Sequence, residues 1–298
     1  MSKAVLITGA TGKQGGAVIN ALLRENADFE ILAVTRNPNS ASGQRLSQKS
    51  PSIKLVEGDL DNPAGIFAKA KEATSLPIWG VFSVQVPGGK EELQGKSLVD
   101  ESIKQGVKFF LYTSVDRGGD ASYDNPTDVP HFAAKYRIEH HLVDEAKKGA
   151  MDWAILRPTA FFDNFVPGFV GKAFVTAWKV AIKDKPLQLI SVDDIGHFGA
   201  QAFLKPEEYK SRGISLAGDE LTFDQLAKTF KDKTGTEVQT TYAFICSLLM
   251  WLVKDLGYMF RWFHDHGYKA DVQGLRKIHP GLKDFGTWLE KESKFMQH

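Results

Sequence analysis

Residues Ala4-Val5-Leu6-Ile7-Thr8 form an apolar run of strand length that passes without a break into Gly9-Ala10-Thr11-Gly12-Lys13-Gln14-Gly15-Gly16. A helical pattern follows, carried by Val18, Ile19, Leu22 and Leu23. No other segment restricts the fold as much. Gly9 permits a tight turn, Gly12 lets backbone approach a ligand with no Cβ in the way, and Gly15 allows a helix to pack closely on a strand. The free amides and the positive dipole end of the first helix would then face a diphosphate, with Thr11, Lys13 and Gln14 in the same turn. Glycines three apart can serve any strand-to-helix turn. Placed after the first strand and at the opening of the first helix, they point to dinucleotide binding.

The alternation continues through the first half. Apolar runs rich in β-formers lie at Ala4 to Thr8, Ile31 to Thr35, Ile53 to Glu57, Gly80 to Val84, Phe109 to Thr113 and Trp153 to Leu156. Between them are helix-length segments at Gln14 to Asn26, Asn62 to Ala73, Lys90 to Gln105 and His131 to Lys148, whose apolar residues recur three and four apart. Strands joined by helical crossovers predict an α/β fold with a doubly wound parallel sheet. The regularity breaks at Arg157-Pro158, after which Phe161, Phe162, Phe165, Phe169 and Phe174 read as a lid or pocket wall. Asp193 to Leu204 reads as a helix, Gly213 to Leu216 as a short strand and Leu221 to Asp232 as a helix. The expected organisation is a dinucleotide-binding domain over 1–157, with 193–217 returning to it, and a smaller, discontinuous C-terminal α/β domain over 158–298.

The end of the second strand discriminates between dinucleotides. A fold that reads an unphosphorylated ribose places Asp or Glu there, whereas this strand ends Val34-Thr35-Arg36-Asn37. The planar fork of Arg36 suits a 2′-phosphate, with Lys13 as a second cation, so NADP(H) is preferred over NAD(H). Asp59 and Leu60, after the third strand, would flank the adenine, although Gly58-Asp59 could equally be a strand-ending turn. Ser83 and Gln85 follow the fourth strand and Ser114 the fifth, on the carboxyl edge where ligands of such sheets sit.

Thirty-seven Lys and Arg against 36 Asp and Glu give a formal charge of +1, far from the excess needed to neutralise a row of phosphates, so no direct nucleic-acid contact is expected. The single Cys246 forms no internal disulfide, and the first strand pattern begins too early to leave room for a targeting peptide, which favours a cytoplasmic location with nuclear entry undecided. The run from Ala243 to Val253 is apolar apart from Ser247. It is too short for a bilayer-spanning helix, which needs about 20 residues, and reads instead as a helix buried in protein, with no membrane contact.

Together these residues resemble the NmrA-like proteins, an atypical branch of the short-chain dehydrogenase/reductase superfamily. The resemblance runs through TGATGKQGG at 8 to 16, VTRNP at 34 to 38, HFAAKYRIEHHL at 131 to 142, LRPTAFFDNF at 156 to 165, SVDDIG at 191 to 196 and HGYKADVQGLRKIHPGLKDF at 266 to 285. It implies a Rossmann domain and a smaller C-terminal part with a cleft between them. It further implies that Lys135 holds the nicotinamide ribose, and that Pro158, Thr159, Ala160 and Phe161 pass beside the nicotinamide with Asn164 lining the cleft. Where the wider superfamily has a proton-donating Tyr four residues before that Lys, this chain has His131. An imidazole is suited to exchanging protons near neutrality, and it could also simply cap the helix that begins after Pro130. Ser114 stands where the superfamily often keeps a catalytic Ser or Thr.

The missing Tyr favours a redox- or dinucleotide-sensing regulator that acts through protein partners. The alternative is an NADPH-dependent oxidoreductase or isomerase of a small aromatic or carbonyl compound, held by Phe161, Phe162, Phe165, Trp178 and Tyr258. The expected ligand is a small molecule in the interdomain cleft or a regulatory protein, with the oligomeric state open. His264-Asp265-His266 lacks the further ligands of a metal site, so no metal is expected.

Overall fold

The computed structural model describes residues 1–149 and 151–296. Its strands are β1 (Ala4–Ile7), β2 (Glu30–Thr35), β3 (Ile53–Glu57), β4 (Ile78–Ser83), β5 (Phe109–Thr113), β6 (Asp152–Pro158), β7 (Ala160–Phe161), β8 (Leu187–Ile190), β9 (Arg212–Leu216) and β10 (Asp219–Leu221). The helices are α1 (Lys13–Arg24), α2 (Ala41–Ser47), α3 (Pro63–Ala73), α4 (Glu91–Lys104), α5 (Pro130–Ala146), α6 (Phe169–Ala177), α7 (Val192–Leu204), α8 (Pro206–Tyr209), α9 (Phe223–Thr234), α10 (Ala243–Leu252), α11 (Lys254–Asp265), α12 (Val272–Ile278) and α13 (Phe285–Lys291).

A seven-stranded sheet runs in the order β3-β2-β1-β4-β5-β6-β9, and the pairings from β3 to β6 are parallel. Strands covered on both faces have no solvent side, which is why β1 and β5 are buried throughout, and apolar apart from Thr113 and the Tyr112 hydroxyl, instead of alternating. The crossovers start where the sequence supplies a stop signal. Asn62 accepts from Gly65 N at the start of α3, with Pro63 in its first turn, while Ser40 does the same for α2. The order reverses between β1 and β4, so the carboxyl ends of these two strands mark the switch point where such sheets take ligands. The expected doubly wound sheet is the one observed.

The chain divides into two compact units. The first comprises Met1–Ser114, Ala134–Leu156 and Ile195–Ile214, and the second Val115–Ala133, Arg157–Asp194 and Ser215–His298. The second contains a small sheet, β10-β8-β7, that sequence patterning did not reveal because its strands are two to four residues long. Its core is aromatic: Phe162 stacks on Trp288 at 5.7 Å between ring centres, and Phe285 and Trp288 stack on each other at 6.0 Å.

Two expectations for this unit are corrected. The stretch after Arg157-Pro158 is core in part and not wholly a lid or pocket wall, since Phe162 is fully buried and Phe165 nearly so, whereas Phe161 and Phe174 are half-buried and Phe169 is exposed. The run from Ala243 to Val253, expected to be buried, forms α10 with Cys246 as its buried residue, while Phe244, Leu248, Trp251 and Leu252 are exposed. α10 rests on α6 and α11 along its Cys246 side, where Sγ lies 3.5 Å from Ala173 O and Ile245, Leu249 and Met250 are half-buried, and its other residues are exposed. Among the described residues no single helix is long and apolar enough to span a membrane, and α10 and α11 form a pair bent by 112°.

Candidate dinucleotide site

The loop after β1 is built by its glycines. Gly9 has a φ of +58°, the left-handed region that glycine adopts without penalty, and a Cβ there would lie 2.6 Å from Val84 Cγ1. Gly12 N donates to Gly9 O at 2.9 Å, closing the turn. At Gly15 a Cβ would lie 2.5 Å from the Thr8 carbonyl oxygen and closer still to that of Gly9, so α1 can start against the strand end only if residue 15 has no side chain. Thr8 Oγ1 donates to Phe82 O at 3.0 Å and accepts from Val84 N at 2.9 Å, lacing the ends of β1 and β4 together at the switch point. Gly12 is the N-cap of α1 and offers no side-chain acceptor, which leaves the first-turn amides to a ligand. This cradle fits a diphosphate.

Around it, within the first unit, the structure places most of the residues that the sequence singled out. Thr11, Lys13 and Arg36 are exposed, Arg36 directly beyond the end of β2. Asp59 is exposed and Leu60 half-buried beyond β3, and Asp59 Oδ1 accepts from Asp61 N, the strand-ending turn that was one of its two readings. Gln14 joins the loop to the sheet, because Thr113 Oγ1 donates to Gln14 Oε1 at 2.6 Å. Ser83 Oγ accepts from Gln85 Nε2 at 2.8 Å, and among the described residues the buried Oε1 of Gln85 has no partner, an acceptor left for a bound group. Ser114 is buried and its amide donates to Leu156 O at 2.7 Å. Lys135, on α5, is largely buried with Nζ 2.8 Å from Oε1 of the fully buried Glu91 on α4.

The remaining candidates belong to the second unit. His131 opens α5, four residues before Lys135. Its Nδ1 lies 2.7 Å from Asp255 Oδ2, and its backbone amide donates to Asp255 Oδ1 at 3.2 Å. Asp255, at the start of α11, therefore caps the helix and orients the imidazole, and the expectation that His131 itself is the cap is replaced by this arrangement. Pro158, Thr159 and Ala160 are buried and Phe161 half-buried, with Thr159 Oγ1 donating to Leu216 O at 3.1 Å. Of the expected substrate contacts, Phe162 and Trp178 are core residues. Phe165 lines a cavity of about 190 Å³ with Val175, Phe230 and Phe295. Asn164 is half-buried, and Tyr258 is exposed with the Arg261 guanidinium 5.8 Å from its ring centre. His264 pairs with its neighbour Asp265 at 2.8 Å, and among the described residues no group of three or more His, Cys, Asp or Glu could hold a metal ion.

Sequence reasoning missed Glu91 and Asp255. Glu91 had a legible signal: with Gly95, Leu98, Val99 and Ser102 it lies on the stripe of α4 that packs inward, an odd place for a carboxylate without a partner. Asp255 had none, since nothing in sequence brings it to a residue 124 positions away.

Comparison with known proteins agrees with this geometry. The model of the NmrA-like family matches residues 1–289. The NmrA-like family domain-containing oxidoreductase lnaB of Aspergillus flavus is 31% identical over 270 residues, covering 80% of this chain and 75% of that protein. The NADPH-dependent quinone oxidoreductase QOR2 of Escherichia coli, solved with NADPH, superposes with a TM-score of 0.72 at 20% identity, covering 95% of this chain and 97% of its own. NmrA, a negative transcriptional regulator solved with NADP, gives 0.70 at 16% identity, covering 98% and 96%. With the sheet order, the glycine cradle and a family match over nearly its whole length, this chain belongs to the NmrA-like family.

Proposed function

We propose that the protein is an NADPH-dependent oxidoreductase acting on a small aromatic or carbonyl-bearing molecule. The observation that carries this reading is the His131–Asp255 pair one helical turn before Lys135, at the position where the wider superfamily keeps its proton donor. With Nδ1 on the side facing the Asp255 carboxylate, the Nε2 nitrogen is the one left to exchange a proton with a substrate oxygen, the logic by which a neighbouring carboxylate holds a histidine for acid–base work. Bound NADPH supplies a hydride. The cradle of Gly9, Gly12 and Gly15 holds the diphosphate, Arg36 pairs with the 2′-phosphate, and Gln85 Oε1 accepts from the bound dinucleotide. Lys135 donates to the nicotinamide ribose. The named oxidoreductases among the relatives, and a structural neighbour solved with NADPH, support the same reading.

The test is a screen of NADPH oxidation against quinones, enones and aldehydes with the wild type, His131→Phe and Arg36→Ala. Turnover is expected, lost in His131→Phe with NADPH affinity kept. Arg36→Ala should weaken NADPH by roughly tenfold, the loss of one charge-assisted contact, while NADH is unaffected. Tight NADPH binding with no turnover across the panel would overturn the enzymatic reading, and turnover indifferent to His131 would remove its acid.

A second reading, a dinucleotide-sensing regulator, is favoured by one observation, the uncovered apolar faces of α10. It requires the dinucleotide to alter that surface. Hydrogen exchange over 243–253 that is identical with NADPH, NADP⁺ and no ligand would eliminate it.

A further inference from the structure

We infer that Glu91 is a positioning residue for Lys135: its buried carboxylate holds the ammonium at the carboxyl end of β5, oriented to take the nicotinamide-side ribose. This rests on the dinucleotide reading above.

The geometry lies within one unit. Glu91 is the first residue of α4 and has no exposed side-chain surface, and Lys135 is one-tenth exposed with Nζ 2.8 Å from Glu91 Oε1. The same Nζ stands 5.8 Å from the ring centre of Tyr112 on β5. The next residue, Thr113, bonds Gln14 in the first turn of α1, so the ammonium is fixed at the strand end to which α1 is tied. Two further contacts hold α4 and α5 in register. Glu92 Oε2 accepts from Arg137 Nε at 2.6 Å, and Gly95 approaches Ile138 so closely that a Cβ would lie 2.5 Å from Cδ1.

Stability alone does not account for the pair. Removing a carboxylate and an ammonium from water costs more than their attraction returns unless the geometry is good, and apolar side chains of similar size would join the helices at least as well. The partly exposed Glu92–Arg137 pair and the Gly95–Ile138 contact already join them. What a buried carboxylate adds is a fixed position for a flexible lysine head. An ammonium has three N–H donors, so a Lys135 held by charge beside one carboxylate keeps donors for the adjacent hydroxyls of a ribose. Among the described residues Glu91 meets no other cation.

The test is a titration of NADPH and of 2′,5′-ADP, which has no nicotinamide ribose, against the wild type, Glu91→Gln, Lys135→Ala and the double variant. Glu91→Gln and Lys135→Ala should each weaken NADPH by roughly tenfold, as expected for one hydrogen bond to a charged group, and leave 2′,5′-ADP affinity unchanged. The double variant should lose no more than Lys135→Ala, since Glu91 acts through Lys135. Glu91→Asp, which keeps the charge in a shorter side chain, should recover part of the loss and serves if Glu91→Gln does not fold. Equal loss of both ligands in Glu91→Gln, or additive losses in the double variant, would make Glu91 a merely structural residue and overturn the inference. So would Glu91→Gln binding like wild type beside a weakened Lys135→Ala, with the dinucleotide reading intact. NADPH binding unchanged in Lys135→Ala would instead take Lys135 out of the dinucleotide site and bring down that part of the functional reading.

Discussion

Two apolar stretches of the second unit have exchanged the roles their sequences suggest. Phe161 to Trp178 looks like the wall of a pocket and holds the centre of an aromatic core, whereas Ala243 to Val253 looks like a core helix and stands largely in solvent. Both are rich in large apolar side chains. The difference lies in what arrives to cover them. Phe162 is covered by Phe285 and Trp288, more than 120 residues further along the chain, while Phe244, Leu248, Trp251 and Leu252 of α10 are left exposed. Apolarity states which side chains lose free energy in water, and it does not state where the covering surface comes from.

The largest effect that would test this comparison is Phe162→Ala. A cavity between Phe285 and Trp288 that neither stacked ring can fill should cost about 4 kcal/mol, read as a shift of the urea midpoint. A loss under about 1 kcal/mol would mean that Phe162 is not a core residue.

Next comes Lys283, which pins the segment that supplies those two rings. Its Nζ lies 2.8 Å from Asp194 Oδ1, 3.1 Å from Asp193 Oδ2 and 3.0 Å from Glu292 Oε1. Lys283→Met leaves carboxylates without their cation and should cost about 3 kcal/mol at pH 7. Burial pulls the Lys283 ammonium down, but Asp194 and Glu292 outweigh it and raise it well above the ordinary lysine value of 10.5. Its contribution is therefore fully present below that value and fades as pH rises through the raised one. The gap between wild type and Lys283→Met should stay constant from pH 7 to 10 and narrow beyond; a gap that is already closed at pH 9 would mean that the ion cluster does not hold the segment.

The smallest expected effect is that of Trp251→Ser. Three-quarters exposed on α10, this side chain should change stability by no more than about 0.5 kcal/mol while raising solubility. A loss of several kcal/mol would show that α10 is covered in solution, by a second copy or by a rearranged chain.

The same division separates what was legible at the candidate site from what was not. Gly9, Gly12 and Gly15 could be assigned individual duties from sequence because backbone stereochemistry is local: a left-handed φ at Gly9 and the contact of residue 15 with the strand end follow from positions within seven residues of one another. Arg36 was legible from its place at the end of a strand. The ionic partners were not, because Asp255 reaches His131, and Glu91 reaches Lys135, only through helix packing.

By itself, then, the sequence determined the alternation of strands and helices, the doubly wound class of the sheet and the glycine cradle after its first strand, since each rests on periodicity or on φ and steric limits set by neighbouring residues. Tertiary structure alone decided that Phe162 and Trp178 are core, that α10 keeps Phe244, Leu248, Trp251 and Leu252 exposed, and that Glu91 and Asp255 stand beside Lys135 and His131. Those outcomes depend on which distant surfaces meet, and hydrophobic burial and charge pairing are indifferent to sequence separation.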